Sequence, residues 1–234
     1  MGYREIRKAE YFLRLLFPAR CICCDMVLPI NASEEVCSEC GKSLKTLNKF
    51  GYVNLPGSII TKVYSVFEYE GGIRKAIHRL KFGESPRNAF VLVDLSYPIL
   101  KSFLDRQFPC MPCSNYDIII PAPLHPKRKR RRGYNQSELI ASRLAYHMKI
   151  PMLKGVLVKK INTPPQSQLR RGERLKNLIG VFHVKKPNLI KDRRILLVDD
   201  IMTTGSTLEQ CAKALMDAGA KQVDAYVIAM RRRL

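Results

Sequence analysis

The sequence predicts an α/β fold: a mostly parallel sheet flanked by helices, with a small zinc-binding module ahead of it. Three observations carry that reading. The short apolar runs DIIIPAP (117–123), RILLV (194–198) and VDAYVIAM (223–230) have the length and continuity of strands buried on both faces. The first two are each followed by a loop and then by apolar residues at helical spacing, and a repeated strand–loop–helix order builds parallel sheets. Ahead of them, Cys21 and Cys24 form one CxxC and Cys37 and Cys40 another, with twelve residues between the pairs.

Zinc takes four soft ligands in a tetrahedron, and two CxxC turns supply them when the intervening loop folds back. Gly41, directly after the second pair, suits a tight knuckle turn. The run CICC lets either Cys23 or Cys24 complete the first pair; Cys24 keeps the two-residue gap and is preferred. The competing reading is a set of reduced, buried thiols. Four protein ligands leave no coordination position open, so zinc at Cys21, Cys24, Cys37 and Cys40 is expected to stabilise the module or dock a partner, not to catalyse. Residues 1–56 are assigned to this module and 57–234 to the α/β domain. Cys110 and Cys113, in CMPC, have no second pair nearby and stay unassigned, as does Cys23.

The remaining elements follow in order. ITKVYSVFEYEGG alternates, with Val63, Ser65, Phe67 and Tyr69 on one side and Lys62, Tyr64, Val66 and Glu68 on the other, a strand that ends at Gly71 and Gly72. Ile73, Ile77 and Leu80 then fall at helical spacing, with Arg74, Lys75, Arg79 and Lys81 on the other faces. A second helix is expected over 88–104, broken or kinked near Pro98. After the strand DIIIPAP and a basic loop, QSELIASRLAYHM (136–148) reads as a helix that Asn135 or Ser137 can cap. RILLV leads through Thr203–Thr207 into a helix over 208–216, which stops at Gly219 before the last strand.

Charge narrows the partners. Forty-one Lys and Arg against 20 Asp and Glu leave a formal +21, which favours nucleic acid, phosphorylated ligands or an anionic membrane face. YFLRLLFP (11–18) is interrupted by Arg14, is far shorter than the ~20 residues of a membrane span and lacks a signal-peptide cleavage site. The expectation is a cytoplasmic protein without a transmembrane segment, in a compartment where its eight cysteines are metal ligands or core thiols, not disulfides.

The stretch ILLVDDIMTTGST (195–207) carries the chemistry. In open α/β sheets ligands bind at the C-terminal strand ends, where Asp199 and Asp200 are expected to lie. Thr203, Thr204, Ser206 and Thr207 offer hydroxyls, Gly205 an accessible backbone, and the following helix its positive end: a phosphate cradle. Two carboxylates beside it suit a vicinal diol, and phosphate plus diol describes ribose 5-phosphate. The loop is too short for GxxxxGK[ST] and lacks its lysine.

ILLVDDIMTTGST resembles the phosphoribosyl pyrophosphate (PRPP) motif of type I phosphoribosyltransferases. With the cysteine knuckle, PAPLHPKRKRRRGYNQ and QSQLRRGERLKNLIGVF, nearly the whole chain resembles the ComF competence-protein family. The resemblance implies a type I phosphoribosyltransferase-like domain in which Asp199 and Asp200 hold the ribose hydroxyls as catalytic residues. It implies a 5′-phosphate site at Met202, Thr203, Thr204, Gly205, Ser206 and Thr207, and a diphosphate site at Pro123, Leu124, His125 and Lys127. It implies Mg²⁺ with PRPP and pentosyl transfer to an acceptor the sequence does not identify. It also implies a place in natural transformation, with single-stranded DNA and a competence helicase as partners, peripheral at the membrane-associated uptake machinery.

Six consecutive cations, Lys127 to Arg132, exceed what one diphosphate needs. Arg128, Lys129, Arg130, Arg131 and Arg132 are therefore assigned to a nucleic-acid backbone, beside the readings of a solvated loop and a diphosphate contact. The segment 163–177, with Gln166, Gln168, Arg171, Arg174 and Asn177, resembles the loop that closes over PRPP and excludes water; a polar linker is the plainer reading. Lys81 matches a basic residue common in ComF sequences, or is a solvated helix residue. If the PRPP site is vestigial or sensory, the chain is instead a non-catalytic single-stranded DNA-binding competence factor.

Overall fold

The computed structural model describes residues 13–47, 58–82, 85–107, 116–161 and 180–231. Its centre is a four-stranded, all-parallel sheet made by β1 (Val63–Glu68), β2 (Ile118–Pro121), β5 (Arg194–Met202) and β6 (Gln222–Met230), in the order β1-β6-β5-β2. A separate antiparallel pair joins β3 (Leu157–Lys159) to β4 (Phe182–Val184). Besides helical residues 13–16, the α-helices among the described residues are α1 (Ser38–Ser43), α2 (Gly71–Phe82), α3 (Asn88–Gln107), α4 (Pro126–Arg132), α5 (Gln136–Met148) and α6 (Ser206–Asp217).

One hydrophobic cluster packs α2, α3 and α5, together with the cysteine knuckle, on one side of the sheet; a second packs α6 and the β3–β4 pair on the other. Covering both faces explains the apolar runs. Even β1, whose sequence alternates, is buried at all six positions. Its free edge is covered as well: Leu47 N–H donates to the Val66 carbonyl at 3.0 Å and Glu68 N–H to the Lys45 carbonyl at 3.0 Å.

Four expectations change. Helix α3 runs through Pro98 as one element of 20 residues, which excludes the break but not the kink expected there; Leu92 and Val93 on one side and Leu100 on the other are anchored in the core. Strand β5 does not stop at Val198 but continues to Met202, since β6 pairs with it as far as Met202 opposite Met230. Helix α6 begins at Ser206 rather than Leu208, with Gly205 in the left-handed conformation (φ 82°) at its cap.

The basic run is also helical, not a loop. His125 caps α4, its Nδ1 accepting from Lys127 N–H at 3.2 Å; Pro126 fills the first turn and Gly133 (φ 87°) ends the helix. Lysine and arginine are good helix formers, and that propensity with the signals at both ends outweighs the like-charge repulsion along the run. Helix α5 has the predicted bounds, with Asn135 as its cap: Asn135 Oδ1 accepts from Ser137 N–H at 3.1 Å.

The knuckle residues lie along α2. A Cβ placed on Gly72 would sit 2.7 Å from the Cys23 Cβ, so glycine is what lets the two segments meet. Further along the helix, Arg79 donates to the Ile22 carbonyl at 3.0 Å and pairs with Asp25 at 3.6 Å. Among the described residues, no helix is long and apolar enough to cross a membrane.

Candidate functional site

Strand β2 pairs with β5 only as far as Pro121 opposite Val198, and the Ala122 N–H still reaches the Val198 carbonyl at 2.8 Å. Beyond that point β5 keeps β6 on one edge and loses β2 on the other. Asp199 and Asp200 occupy the part of β5 where this gap opens. The two side chains alternate across the strand and meet different partners. Asp199 Oδ1 accepts from Ser137 Oγ at 2.7 Å and from Asp200 N–H at 2.9 Å. Asp200 is buried; its Oδ1 lies 3.0 Å from Lys81 Nζ, and its Oδ2 has no hydrogen-bond partner among the described residues.

An unpaired buried carboxylate oxygen is costly in a folded protein, and a ligand donor at that position would satisfy it. Burial, and after it the adjacent Asp200 charge, pushes the Asp199 carboxyl up to about 6. Ser137 and Lys81 act in the opposite direction and hold it there.

Cations surround the pair. Lys81 comes from the end of α2, which is fixed where Tyr134 Oη donates to the Leu80 carbonyl at 2.7 Å. Arg132, half-buried at the end of α4, interacts with the Asp200 charge and donates to Gln136 Oε1. Lys159 on β3 interacts with Asp199; burial, then the Arg128 charge, lowers its pKa to about 8. Burial and Arg131 also lower Arg128.

The loop between β5 and α6 stands beside the carboxylates. Thr204 Oγ1 and Ser206 Oγ are 2.9 Å apart, and the Ser206 N–H points to Thr204 Oγ1 at 3.5 Å. Met202 and Ser206 are buried, whereas Thr203, Thr204, Gly205 and Thr207 are partly exposed. On the facing side, Pro123, Leu124 and His125 are partly exposed between β2 and α4, and Lys127 is exposed.

Of the six cations, Lys127, Arg130 and Arg131 point to solvent. Lys129 pairs with Glu138 at 2.8 Å, while Arg128 and Arg132 turn inward. The structure thus divides a run that composition treats as uniform. Gln166, Gln168, Arg171, Arg174 and Asn177 lie outside the described residues, as do Cys110 and Cys113. The sequence offers Ser137 only as a helix cap, not as a partner of Asp199, and does not point to Lys159. No local signal marks Lys159, whose place depends on the β3–β4 pair.

The second constellation is the knuckle. The Sγ atoms of Cys21, Cys24, Cys37 and Cys40 all lie within 4.8 Å of one another, a group able to hold a metal ion. Backbone N–H groups face the sulfurs, Cys37 N–H to Cys21 Sγ and Cys40 N–H to Cys37 Sγ, each at 3.4 Å. Burial raises the Cys21 thiol, but the N–H groups of Cys37, Cys24 and Cys23 outweigh it and bring it down to about 6, the thiolate form a metal requires. Cys23 turns away into the core beneath Gly72, which settles the choice between the two adjacent cysteines in favour of Cys24.

The family described as the phosphoribosyl transferase domain matches residues 135–233, which include Ser137, the carboxylates and the Thr203–Thr207 loop. Competence protein F of Haemophilus influenzae is 29% identical over 228 residues, covering 91% of this chain and 97% of that protein. DNA utilization protein YhgH of Salmonella typhi is 27% identical over 229 residues, covering 92% of this chain and 98% of that protein. Competence protein ComFC of Bacillus subtilis is 29% identical over 167 residues, 70% of this chain and 62% of that protein. Residues 135–233 thus match a phosphoribosyl transferase domain, and the chain, with its parallel sheet and four-cysteine cluster, is similar to competence protein F and YhgH over nearly its whole length and to ComFC over part of it.

Proposed function

We propose that this protein binds PRPP, accompanied by Mg²⁺, and acts in handling DNA during natural transformation. The observation that carries the ligand assignment is Asp200 Oδ2, a buried carboxylate oxygen without a partner among the described residues, next to the loop that opens α6. In this reading Asp199 and Asp200 accept from the ribose hydroxyls, and Met202 to Thr207 receive the 5′-phosphate through hydroxyls and backbone N–H groups. Pro123, Leu124, His125 and Lys127 flank the diphosphate, which Lys159 and the inward-turned Arg128 and Arg132 offset in charge. Mg²⁺ neutralises the diphosphate when PRPP is bound. Gln166, Gln168, Arg171 and Arg174 belong to the segment proposed to close over the ligand. Zinc in the knuckle holds Cys21, Cys24, Cys37 and Cys40 together. The role in transformation draws on the names of the relatives, competence protein and DNA utilization protein.

The test is calorimetric titration of Mg²⁺–PRPP into the zinc-loaded protein and into the Asp199→Ala, Asp200→Ala double variant. Binding to the first and none to the second is the expected result. No binding to either removes the ligand assignment.

A second reading, a single-stranded DNA-binding factor in which the ribose site is sensory or vestigial, is favoured by one observation. Lys127, Arg130 and Arg131 are exposed along one short helix, in a chain of net charge +21. A phosphate backbone is the ligand that such a surface fits.

A further inference from the structure

The charges inside the site are arranged in a way that ribose recognition by two carboxylates does not require. Lys81 Nζ lies 3.0 Å from Asp200 Oδ1, with side chains only 23% and 3% exposed, so the pair is weakly screened. The lysine is not a long side chain that drifted to the nearest acid. It extends from the last turn of α2, whose Leu80 carbonyl is tied to Tyr134 Oη, and α2 is itself packed along the cysteine knuckle. Asp199 feels Lys81 and Lys159, and Asp200 faces Lys81 and Arg132. Two carboxylates are thus set among three half-buried cations, with Arg128 close behind.

We propose that Lys81 is the resident cation of the carboxylate pair and decides which ribose ligands need a metal. A ribose phosphate binds beside Asp200 without a divalent ion, and Mg²⁺ enters only as the companion of a ligand's diphosphate. The inference rests on the ribose-phosphate reading of the site.

The physical case has two parts. A site whose cations outnumber its carboxylates repels a free divalent ion, and an ion seated on Asp200 would meet the Lys81 ammonium at contact distance. The oxygen that remains unsatisfied, Asp200 Oδ2, belongs to a carboxylate already paired with a cation, so it calls for a neutral donor. A sugar hydroxyl is such a donor, and it brings no second charge into a buried place.

The experiment uses the zinc-loaded full chain in buffer freed of other divalent ions, and compares wild type with Lys81→Met and Lys81→Arg. Mn²⁺ is titrated alone and followed by the electron paramagnetic resonance of the free ion. Ribose 5-phosphate is titrated calorimetrically with and without Mg²⁺. The wild type is expected to take up no Mn²⁺ at the carboxylates and to bind ribose 5-phosphate within about threefold in the two buffers. Lys81→Met should gain Mn²⁺ binding and lose about tenfold or more in ribose 5-phosphate affinity, recovered by added Mg²⁺, while Lys81→Arg behaves as wild type.

Mn²⁺ binding to the wild type that Asp200→Asn abolishes, or a wild-type requirement for Mg²⁺ in ribose 5-phosphate binding, overturns the proposal. If the wild type binds ribose 5-phosphate in neither buffer, the ribose-phosphate reading fails. The Mn²⁺ titration then still decides the role of Lys81: uptake by Lys81→Met supports a resident cation, and no uptake refutes it.

Discussion

Asp199→Asn is expected to stabilise the folded protein at neutral pH while weakening ligand binding. The amide retains an oxygen where Asp199 Oδ1 now accepts from Ser137 and Asp200, so the local hydrogen bonds survive. What the substitution removes is a charge in an unfavourable place. Burial, and then Asp200, raises the carboxyl from its ordinary 3.8 to about 6, which at 1.36 kcal/mol per tenfold change in proton affinity amounts to roughly 3 kcal/mol as an upper limit. The folded carboxyl holds its proton more tightly than the unfolded one. Its contribution to stability is therefore complete below pH 3.8 and is lost as the pH rises through about 6. The gain from the amide should approach about 3 kcal/mol at pH 8 and fall to about half of that at pH 5. Urea unfolding of both proteins at the two pH values, with zinc present, measures the difference. A variant less stable than wild type at pH 8, or one with equal gains at pH 5 and pH 8, would refute the electrostatic account of the site.

Three further outcomes test the surrounding structure. Cys24→Ser should lose the metal, measured as zinc released per chain, whereas Cys23→Ser should keep it and lose about 1–3 kcal/mol of stability for burying a hydroxyl in the core. Gly72→Ala drives a methyl group into Cys23, with 2.7 Å between the carbons, and should destabilise by about 1–3 kcal/mol in thermal or urea unfolding. Replacing Arg130 and Arg131 by alanine should weaken single-stranded DNA binding and lower the log–log salt slope by about 0.7 per lost phosphate contact. The same double variant should leave ribose 5-phosphate binding intact, because those two side chains are exposed to solvent whereas Arg128 and Arg132 are the ones turned inward; calorimetry checks that separation.

Elements governed by local chemistry were legible in the sequence. Helix α5 has the bounds that its apolar spacing and Asn135 cap imply, and the two CxxC turns meet as their spacing requires. Misreadings arose where a partner far along the chain decides. The length of β5 is set by β6, and the continuity of α3 through Pro98 by the packing of Leu92, Val93 and Leu100. The helix at Pro126–Arg132 is a different case. Its signals, a proline in the first turn and a glycine at the end, were present but overshadowed by the charge of the residues between them. At the site, the motif points to Asp199 and Asp200 but not to what holds them. Lys81 and Ser137 reach the carboxylates from separate helices, and only the packing of α2 and α5 against the sheet brings them there.

Helix α2 touches the cysteine knuckle through Gly72 and Arg79 and delivers Lys81 to the carboxylates two residues later. The knuckle is therefore a splint for a helix that ends beside the two carboxylates. A metal held by the four cysteines would stiffen that splint, so stripping it is expected to disturb the surroundings of the carboxylates without altering any residue there. By the reciprocity of linked equilibria, whatever factor zinc adds to the affinity for a ribose ligand, the ligand returns to the affinity for zinc.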